Sequence, residues 1–322
     1  MQTPTNLTFW ILFLAFVILV LILDLGVFNR KARAVSLGEA LGWSALWVGL
    51  AAGFAVLLYF HGHRMTGDPA SANRQLSLEF ITAYLVEEAL SVDNLFVFLL
   101  IFRYFKVPSE LQRKVLFWGI LGAILMRAIF IATGVTLLNR FHWVTYLFGA
   151  FLISAGFKLL FQGKDARNPA DSFMTRFAQR HLSLTNDFAG GAFSIRRDGV
   201  RYFTRLALVL LVVESTDLIF AVDSIPAVLA VTRQPYIVFT SNVFAILGLR
   251  ALYFALAGLM DLFHLLHYGL ATVLMFIGVR MLGASYFEVP IAYALGLIVA
   301  ALAGSVLLSL LVPPAERVRT AD

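Results

Sequence analysis

Long apolar blocks fill most of the chain, and each is about as long as a bilayer is thick. Nine are recognisable, over about residues 8–28, 39–60, 77–102, 114–138, 142–161, 203–231, 236–259, 264–283 and 287–312. Roughly 20 apolar residues let a helix cross a bilayer. Only 14% of the residues are charged, whereas soluble domains carry about a quarter. The sequence therefore predicts an all-α, polytopic membrane protein with about nine transmembrane helices.

The basic residues predict how these helices are oriented. When the gaps between blocks are assigned to alternate sides, one side receives 17 of the 25 Lys and Arg residues, the other receives 5, and 3 lie within blocks. Because the more basic side is cytoplasmic, we expect the N-terminus outside and the C-terminus inside a plasma (inner) membrane. No positive charge precedes the first block, so we expect it to remain as a helix rather than to act as a signal peptide. The net charge of +6 then reflects orientation, and we expect lipid rather than nucleic acid as a partner.

One long polar stretch, residues 163–202, is predicted to be cytoplasmic. Phe173, Phe177 and His181 recur at helical spacing, which predicts a short helix on the membrane surface. Further along, Asp198-Gly199 separates two short segments with strand-like composition. Because Gly accepts a positive φ, this dipeptide predicts a two-residue β-hairpin.

The chain repeats itself. Residues 91–94 (Ser-Val-Asp-Asn) match residues 221–224 (Ala-Val-Asp-Ser), and Arg127 matches Arg250 in similar surroundings. The blocks at 142–161 and 264–283 also align without a gap over seventeen positions. Spans 3–5 and 6–8 are therefore predicted to be two copies of a three-helix unit. Since three is odd, adjacent copies enter the membrane from opposite sides, which is the inverted-repeat plan of secondary transporters with a binding site at the repeat interface.

This repeat predicts five regions along the chain. We expect two N-terminal transmembrane helices, the first repeat, the cytoplasmic loop, the second repeat, and a last helix with a cytoplasmic tail, over residues 1–76, 77–162, 163–202, 203–283 and 284–322.

Acidic residues interrupt spans 3 and 6. The six are Glu87, Glu88, Asp93, Glu214, Asp217 and Asp223. An ionised acid at the bilayer centre costs roughly 2.5–3.5 kcal/mol on insertion scales. We therefore expect these acids to face one another, a cation or water. The repeat does not preserve Glu88, which corresponds to Leu218, so Glu88 is not placed in the expected site.

Helix geometry and residue chemistry indicate the kind of ligand. At about 100° per residue, Asn94 lies on the face of Glu87, and Ser224 lies on that of Glu214 and Asp217. Pro226 removes the hydrogen bond to the Val222 carbonyl, so we expect the helix to kink or open beside Asp223. Carboxylates, an amide and a hydroxyl, in a chain with no Cys, suit Mg²⁺, Ca²⁺ or Mn²⁺.

The charges of this predicted site do not balance. Six acids against Arg127 and Arg250 leave −4, and one divalent cation halves that. We interpret the two arginines as braces for the carboxylates. Asp24, near the inner end of span 1, is either an interfacial residue or a ligand where cargo enters. Exchange of the metal for protons is a hypothesis that follows from the remaining charge.

At these motifs the sequence resembles the TerC family of membrane proteins, and within it the Alx branch. The resemblance covers nearly the whole chain and is most specific at three motifs: Glu87-x5-Asp93-Asn94, Glu214-Ser-x-Asp217-x-Ile-Phe-Ala-Val-Asp223-Ser224-Ile-Pro226, and Thr240-Ser241-Asn242-x-Phe-Ala-Ile-Leu-Gly-Leu-Arg250. It implies manganese(II) export, with links to tellurium resistance. It also implies that the acids Glu87, Asp93, Glu214, Asp217 and Asp223 form the intramembrane site, with Asn94, Ser224 and Asn242 beside them.

Other functions stay open at this stage. Calcium or another cation could be the cargo, and acidic rings also occur in cation channels. A tellurium-resistance scaffold would need no transport. An intramembrane hydrolase could pair Asp93 with Asp223, but the Gly-x-Gly-Asp and His-Glu-x-x-His motifs are absent. We therefore expect no enzyme and no cofactor, with the metal ion as substrate. The sequence leaves the oligomeric state open.

Overall fold

A computed structural model describes residues 7–28, 37–67, 72–161, 180, 183–185, 187–197, 200–259, 265–286 and 289–312. In these residues the chain forms nine α-helices and one β-hairpin. The helices are α1 (Leu7–Phe28), α2 (Leu37–Thr66), α3 (Asn73–Tyr104), α4 (Ser109–Arg140), α5 (Trp143–Phe161), α6 (Arg205–Val231), α7 (Pro235–Leu259), α8 (Leu266–Leu282) and α9 (Ile291–Leu311). The residues of each predicted span largely coincide with one of these helices, which makes the fold all-α.

Proline residues start three of the helices. α4 follows Pro108, α7 begins at Pro235 and α9 follows Pro290. Proline suits these positions because the first turn of a helix has no internal partner for its N–H groups. α6 begins differently: the hydroxyl of Thr204 accepts a hydrogen bond from the backbone N–H of Ala207.

The predicted β-hairpin is confirmed. Strand β1 (Ser194–Arg197) pairs antiparallel with β2 (Val200–Phe203), and Arg197 stands opposite Val200 across the turn. The segment just before β1 packs on the start of α4, where the Lys114 ammonium donates to the Gly191 carbonyl at 2.8 Å and lies over the Phe193 ring. The surface helix predicted at Phe173–His181 lies outside the described residues.

Five helices in the described part of the chain are long and apolar enough to cross a membrane: α2, α4, α5, α7 and α9. Residues 7–23 and α8 form two shorter apolar helices. α3 and α6 are similar in length to these helices, but the acidic residues make them less apolar. Burial differs sharply among these helices, since 78% of the most apolar window of α7 is buried and only 22% of that of α9. α7 is therefore central, and the exposed apolar side chains of α1, α2 and α9 suit contact with lipid.

The two predicted repeat units pack mainly on each other. α5 lies against α8, α3 against α7, and α4 against α6. The first helices of the two predicted units, α3 and α6, run antiparallel: the start of α3 meets the end of α6 at Glu79 and Thr232, while the end of α3 meets the start of α6 at Phe105 and Arg205. Such opposite directions are required of an inverted repeat and support that prediction, which stays a prediction together with the count of nine spans and the five-region division.

The expected opening of α6 beside Asp223 is wrong, whereas the alternative, a kink at this point, stays a prediction. The helix continues without interruption from Arg205 to Val231 through Pro226, so it does not open beside Asp223. Proline deprives a single carbonyl of its partner, and the packing of α6 between α3 and α4 holds the helix together around that gap.

Candidate cation-binding site

The guanidinium of Arg127 is the centre of a buried polar cluster between four helices. Arg127, from α4, is 1% exposed. Its Nη1 donates to the Glu87 carboxylate of α3, to Ser224 Oγ of α6 at 3.2 Å and to Asn242 Oδ1 of α7 at 2.7 Å. Its Nη2 lies 3.9 Å from Asp217 Oδ1 of α6. Residues far apart in the sequence thus lie around one positively charged side chain, that of Arg127.

Several polar atoms of this cluster have no hydrogen-bond partner among the described residues. They are Oε2 of Glu87, Oδ2 of Asp217, Oγ of Ser91, and Nε and Nη2 of Arg127. Such buried groups are usually satisfied, because each unpaired one costs about 1–3 kcal/mol. Three of these atoms are oxygens, so the cluster contains oxygens that could bind a cation.

A small cavity of about 20 Å³ adjoins the cluster. That volume holds about one water molecule. Asp217, Glu214 and Arg250 contribute the polar part of its lining; apolar side chains and Gly119 contribute the rest. Asp217 therefore borders both the cavity and Arg127.

Gly122 makes room for Glu214. A Cβ added at residue 122 would overlap the Glu214 carboxylate. The acid of α6 therefore lies directly against the backbone of α4, at the rim of the cavity. Its position depends on a residue with no side chain.

Arg250 is the counterpart of Arg127 in the predicted repeat, and its surroundings differ. Arg250 lines the cavity together with Gly119. Asn242, which accepts from Arg127, corresponds to Gly119 under the same repeat alignment. One copy thus fills this place with an amide, whereas the other leaves a cavity.

The remaining predicted residues are distributed as follows. Asn94 is buried in α3 and is not among the described hydrogen-bond partners of Arg127. Pro226 lies two residues beyond Ser224 in α6. The side chains of Asp24, Asp93 and Asp223 lie outside the described part, although their backbones belong to α1, α3 and α6. Among the described side chains, no group of three His, Asp or Glu residues is arranged as a ready metal shell.

The two ends of the bundle differ. At one end, the hydroxyl of Thr232 donates to Glu79 at 2.6 Å, which ties α6 to α3. At the other end, Tyr253 donates to Gln112 at 2.8 Å, which ties α7 to α4. The cavity-lining residues are those nearer to this second end along all four helices. By the charge distribution, that end is the predicted cytoplasmic side.

Sequence reasoning missed two residues of the site. Ser91 is one turn beyond Glu87 on the same face of α3 and is fully buried, a signal that its spacing alone could have given. Gly122 carries no such signal, because its role depends on the packing of α4 against α6. Glu88, which the repeat does not preserve, faces α7: its Oε1 is 3.9 Å from where a Cβ on Gly248 would stand, and its buried Oε2 has no hydrogen-bond partner among the described residues.

The fold and this buried acidic cluster define a multi-pass integral membrane protein with a polar intramembrane site. The chain belongs to the TerC family of integral membrane proteins, whose model matches residues 72–317. An uncharacterized membrane protein of Myxococcus xanthus is 46% identical over 302 residues, or 94% of this chain and 92% of the relative.

Other relatives extend the comparison. Alx of Escherichia coli (strain K12), named for a proposed role as a membrane-bound redox modulator, is 44% identical over 299 residues, or 92% of each chain. An uncharacterized membrane protein of Rickettsia felis is 37% identical over 281 residues, or 87% of this chain and 90% of the relative. No solved structure matches the chain.

Proposed function

We propose that this protein transports a divalent metal cation across the membrane, and that the cation is manganese(II) moving outward. One observation carries the proposal: acids from α3 and α6 converge in the membrane with unpartnered oxygens, beside a cavity that Glu214 and Asp217 line. Burying such acids is costly. Binding of a transported cation would offset that cost and explains why the acids are there.

The ligand chemistry favours a hard divalent cation. The available oxygens belong to carboxylates, hydroxyls and an amide, and the chain has no Cys. Mn²⁺, Mg²⁺ and Ca²⁺ share such ligands, so the residues support the class of cation. The choice of manganese and of export rests on the resemblance to the TerC family, and location in the plasma membrane is part of the same proposal.

The position of the cavity supports a transport path from one side. Its lining residues lie towards the end of the bundle that the basic residues predict to be cytoplasmic, whereas Glu79 and Thr232 join α3 to α6 at the opposite end. A site reached from the cytoplasm and closed towards the outside is what an exporter needs before its cargo is released. Proton exchange stays a separate hypothesis about the driving force, and an imposed pH gradient across proteoliposomes tests it.

A redox role, suggested by the name of Alx, needs a different explanation in this chain. Thiol–disulfide exchange requires cysteine, and the chain contains none. The chain therefore does not carry out this exchange itself, and a redox effect through the cation that is moved is compatible with the proposal. An enzymatic role has no comparable support from the cluster.

The test is the metal content of cells grown under manganese load. Cells that lack the protein should accumulate manganese and grow poorly, and expression should reverse both effects. Asp93→Asn and Asp223→Asn keep side-chain size and remove charge, so each should abolish the rescue at normal protein levels. Calcium and magnesium contents measured in the same samples separate the alternatives. Equal manganese contents with and without the protein would contradict the proposal.

A further inference from the structure

The candidate site already contains a positively charged group of the protein, the Arg127 guanidinium. This suggests how the site discriminates among ions. Arg127 lies where Glu87, Asp217, Ser224 and Asn242 converge. We propose that Arg127 is the valence selector of the site: it neutralises the carboxylates between transport events, and only a cation of higher charge displaces it. The inference rests on the proposed function and names the residue that determines its ion specificity.

The bonding of Arg127 is unlike that of a permanent brace. A guanidinium usually holds a carboxylate through two parallel hydrogen bonds from different nitrogens. Among the described side chains, Nη1 makes all of the hydrogen bonds of the guanidinium, while Nε and Nη2 have none. Asp217 lies at 3.9 Å, beyond hydrogen-bonding distance. Only the hydrogen bonds of Nη1 and the attraction to the carboxylates therefore hold the guanidinium, and a cation of higher charge can compete with it for those carboxylates.

Charge then determines which ions compete. The attraction between an ion and a carboxylate scales with the ion's charge. Replacing the guanidinium by Na⁺ or K⁺ gives no electrostatic gain and requires the ion to lose its water. A divalent cation loses more hydration free energy than Na⁺ or K⁺, but it alone doubles the attraction to each of these carboxylates, which offsets that loss. Without Arg127, these carboxylates would attract cations of either valence.

Asp217 is where the exchange would begin. It lines the cavity, and it is also an ion-pair partner of Arg127. Arg127 itself is absent from the cavity lining. A cation that enters the cavity therefore reaches Asp217 first, with Glu214 beside it, and Arg127 must then give up this partner.

The experiment measures Mn²⁺ binding to the purified full-length protein by calorimetry, at low and high Na⁺ with ionic strength kept constant by choline. The wild type should bind Mn²⁺ equally well in both. In Arg127→Gln, the Mn²⁺ affinity at low Na⁺ should rise about tenfold, since a neighbouring like charge is removed. High Na⁺ should then weaken this binding. Arg233→Gln, in the turn before α7 with its guanidinium 3.2 Å from Thr145, is the matched control and should behave like the wild type.

Arg127→Lys separates charge from packing and serves if the Gln variant does not fold. Its ammonium keeps the single positive charge, so its Mn²⁺ binding should remain insensitive to Na⁺. Weaker or unchanged Mn²⁺ binding in Arg127→Gln would overturn the inference, and so would Na⁺ sensitivity in Arg127→Lys. In either case, Mn²⁺ binding by the wild type would still support the proposed function. A wild type that binds no Mn²⁺ would instead count against manganese as the cargo.

Discussion

Glu214 illustrates how a single small residue positions a charged one. Its carboxylate occupies the space that a side chain at residue 122 would need, against the backbone of α4. Together with Asp217, it forms the acidic wall of the cavity. A glycine in the neighbouring helix thus determines where this acid lies, although it contributes no ligand itself.

Gly122→Ala should therefore impair transport. The added methyl group overlaps the Glu214 carboxylate, and because that group ends a flexible side chain it can move aside. We expect a loss of stability within the range of about 1–3 kcal/mol for overpacking, and a clear loss of manganese flux. Flux in proteoliposomes, together with the melting temperature, measures both effects.

The control for this prediction is Gly53→Ala in α2, where an added Cβ meets nothing within 4 Å. It should leave flux and melting temperature close to the wild-type values. Full flux in Gly122→Ala would mean that the position of Glu214 is not needed for transport.

At the scale of elements, the crossing of α5 and α8 depends on close backbone contact. A Cβ on Gly278 would stand 2.7 Å from the Gly149 carbonyl oxygen, and one on Gly156 would stand 2.9 Å from that of Ala271. In the predicted repeat, Gly149 corresponds to Ala271 and Gly156 to Gly278. The two contacts are thus equivalent, as a pseudo-two-fold axis through the crossing would make them.

Gly278→Ala should destabilise the protein, because backbone atoms cannot yield as a side chain can. Overpacking of this kind costs about 1–3 kcal/mol. We expect a lower melting temperature in detergent. Gly296→Ala in α9, where an added Cβ meets nothing within 4 Å, is the control and should melt at or above the wild-type temperature. Equal melting of both variants would contradict the close packing of α5 on α8.

How far the sequence predicts these elements depends on the interaction involved. Apolar length and proline positions predict the helices, and Asp198-Gly199 predicts the hairpin, because these signals are local. The opening expected at Pro226 is wrong, since neighbouring helices keep α6 continuous. The cost of acids in a membrane predicts the carboxylates as site residues, and the match to Arg250 together with the charge balance predicts Arg127. The central place of Arg127 and the role of Gly122 depend on how four helices pack, which no local pattern encodes.

For the whole molecule, the orientation in the membrane decides which end the cargo enters. Reporters active on only one side of the membrane, fused after Arg180 and after Asp322, should both lie on the cytoplasmic side. The reason is the excess of Lys and Arg in the gaps assigned to that side. Opposite locations for the two fusions would contradict the four described helices after the loop, an even number that returns the chain to the same side, and with it the assignment of the cavity to the cytoplasmic end.

The most direct test of the central claim is manganese flux through the purified protein in sealed proteoliposomes. An internal Mn²⁺-quenched dye should report flux with the wild type and with Gly53→Ala. Asp217 lines the cavity and pairs with Arg127. Asp217→Asn keeps the size of this side chain and removes its charge. Initial flux should therefore fall at least about tenfold, the loss typical of altered metal ligands and their neighbours. Wild-type flux no faster than in empty liposomes, or full flux in Asp217→Asn, would contradict transport through this site.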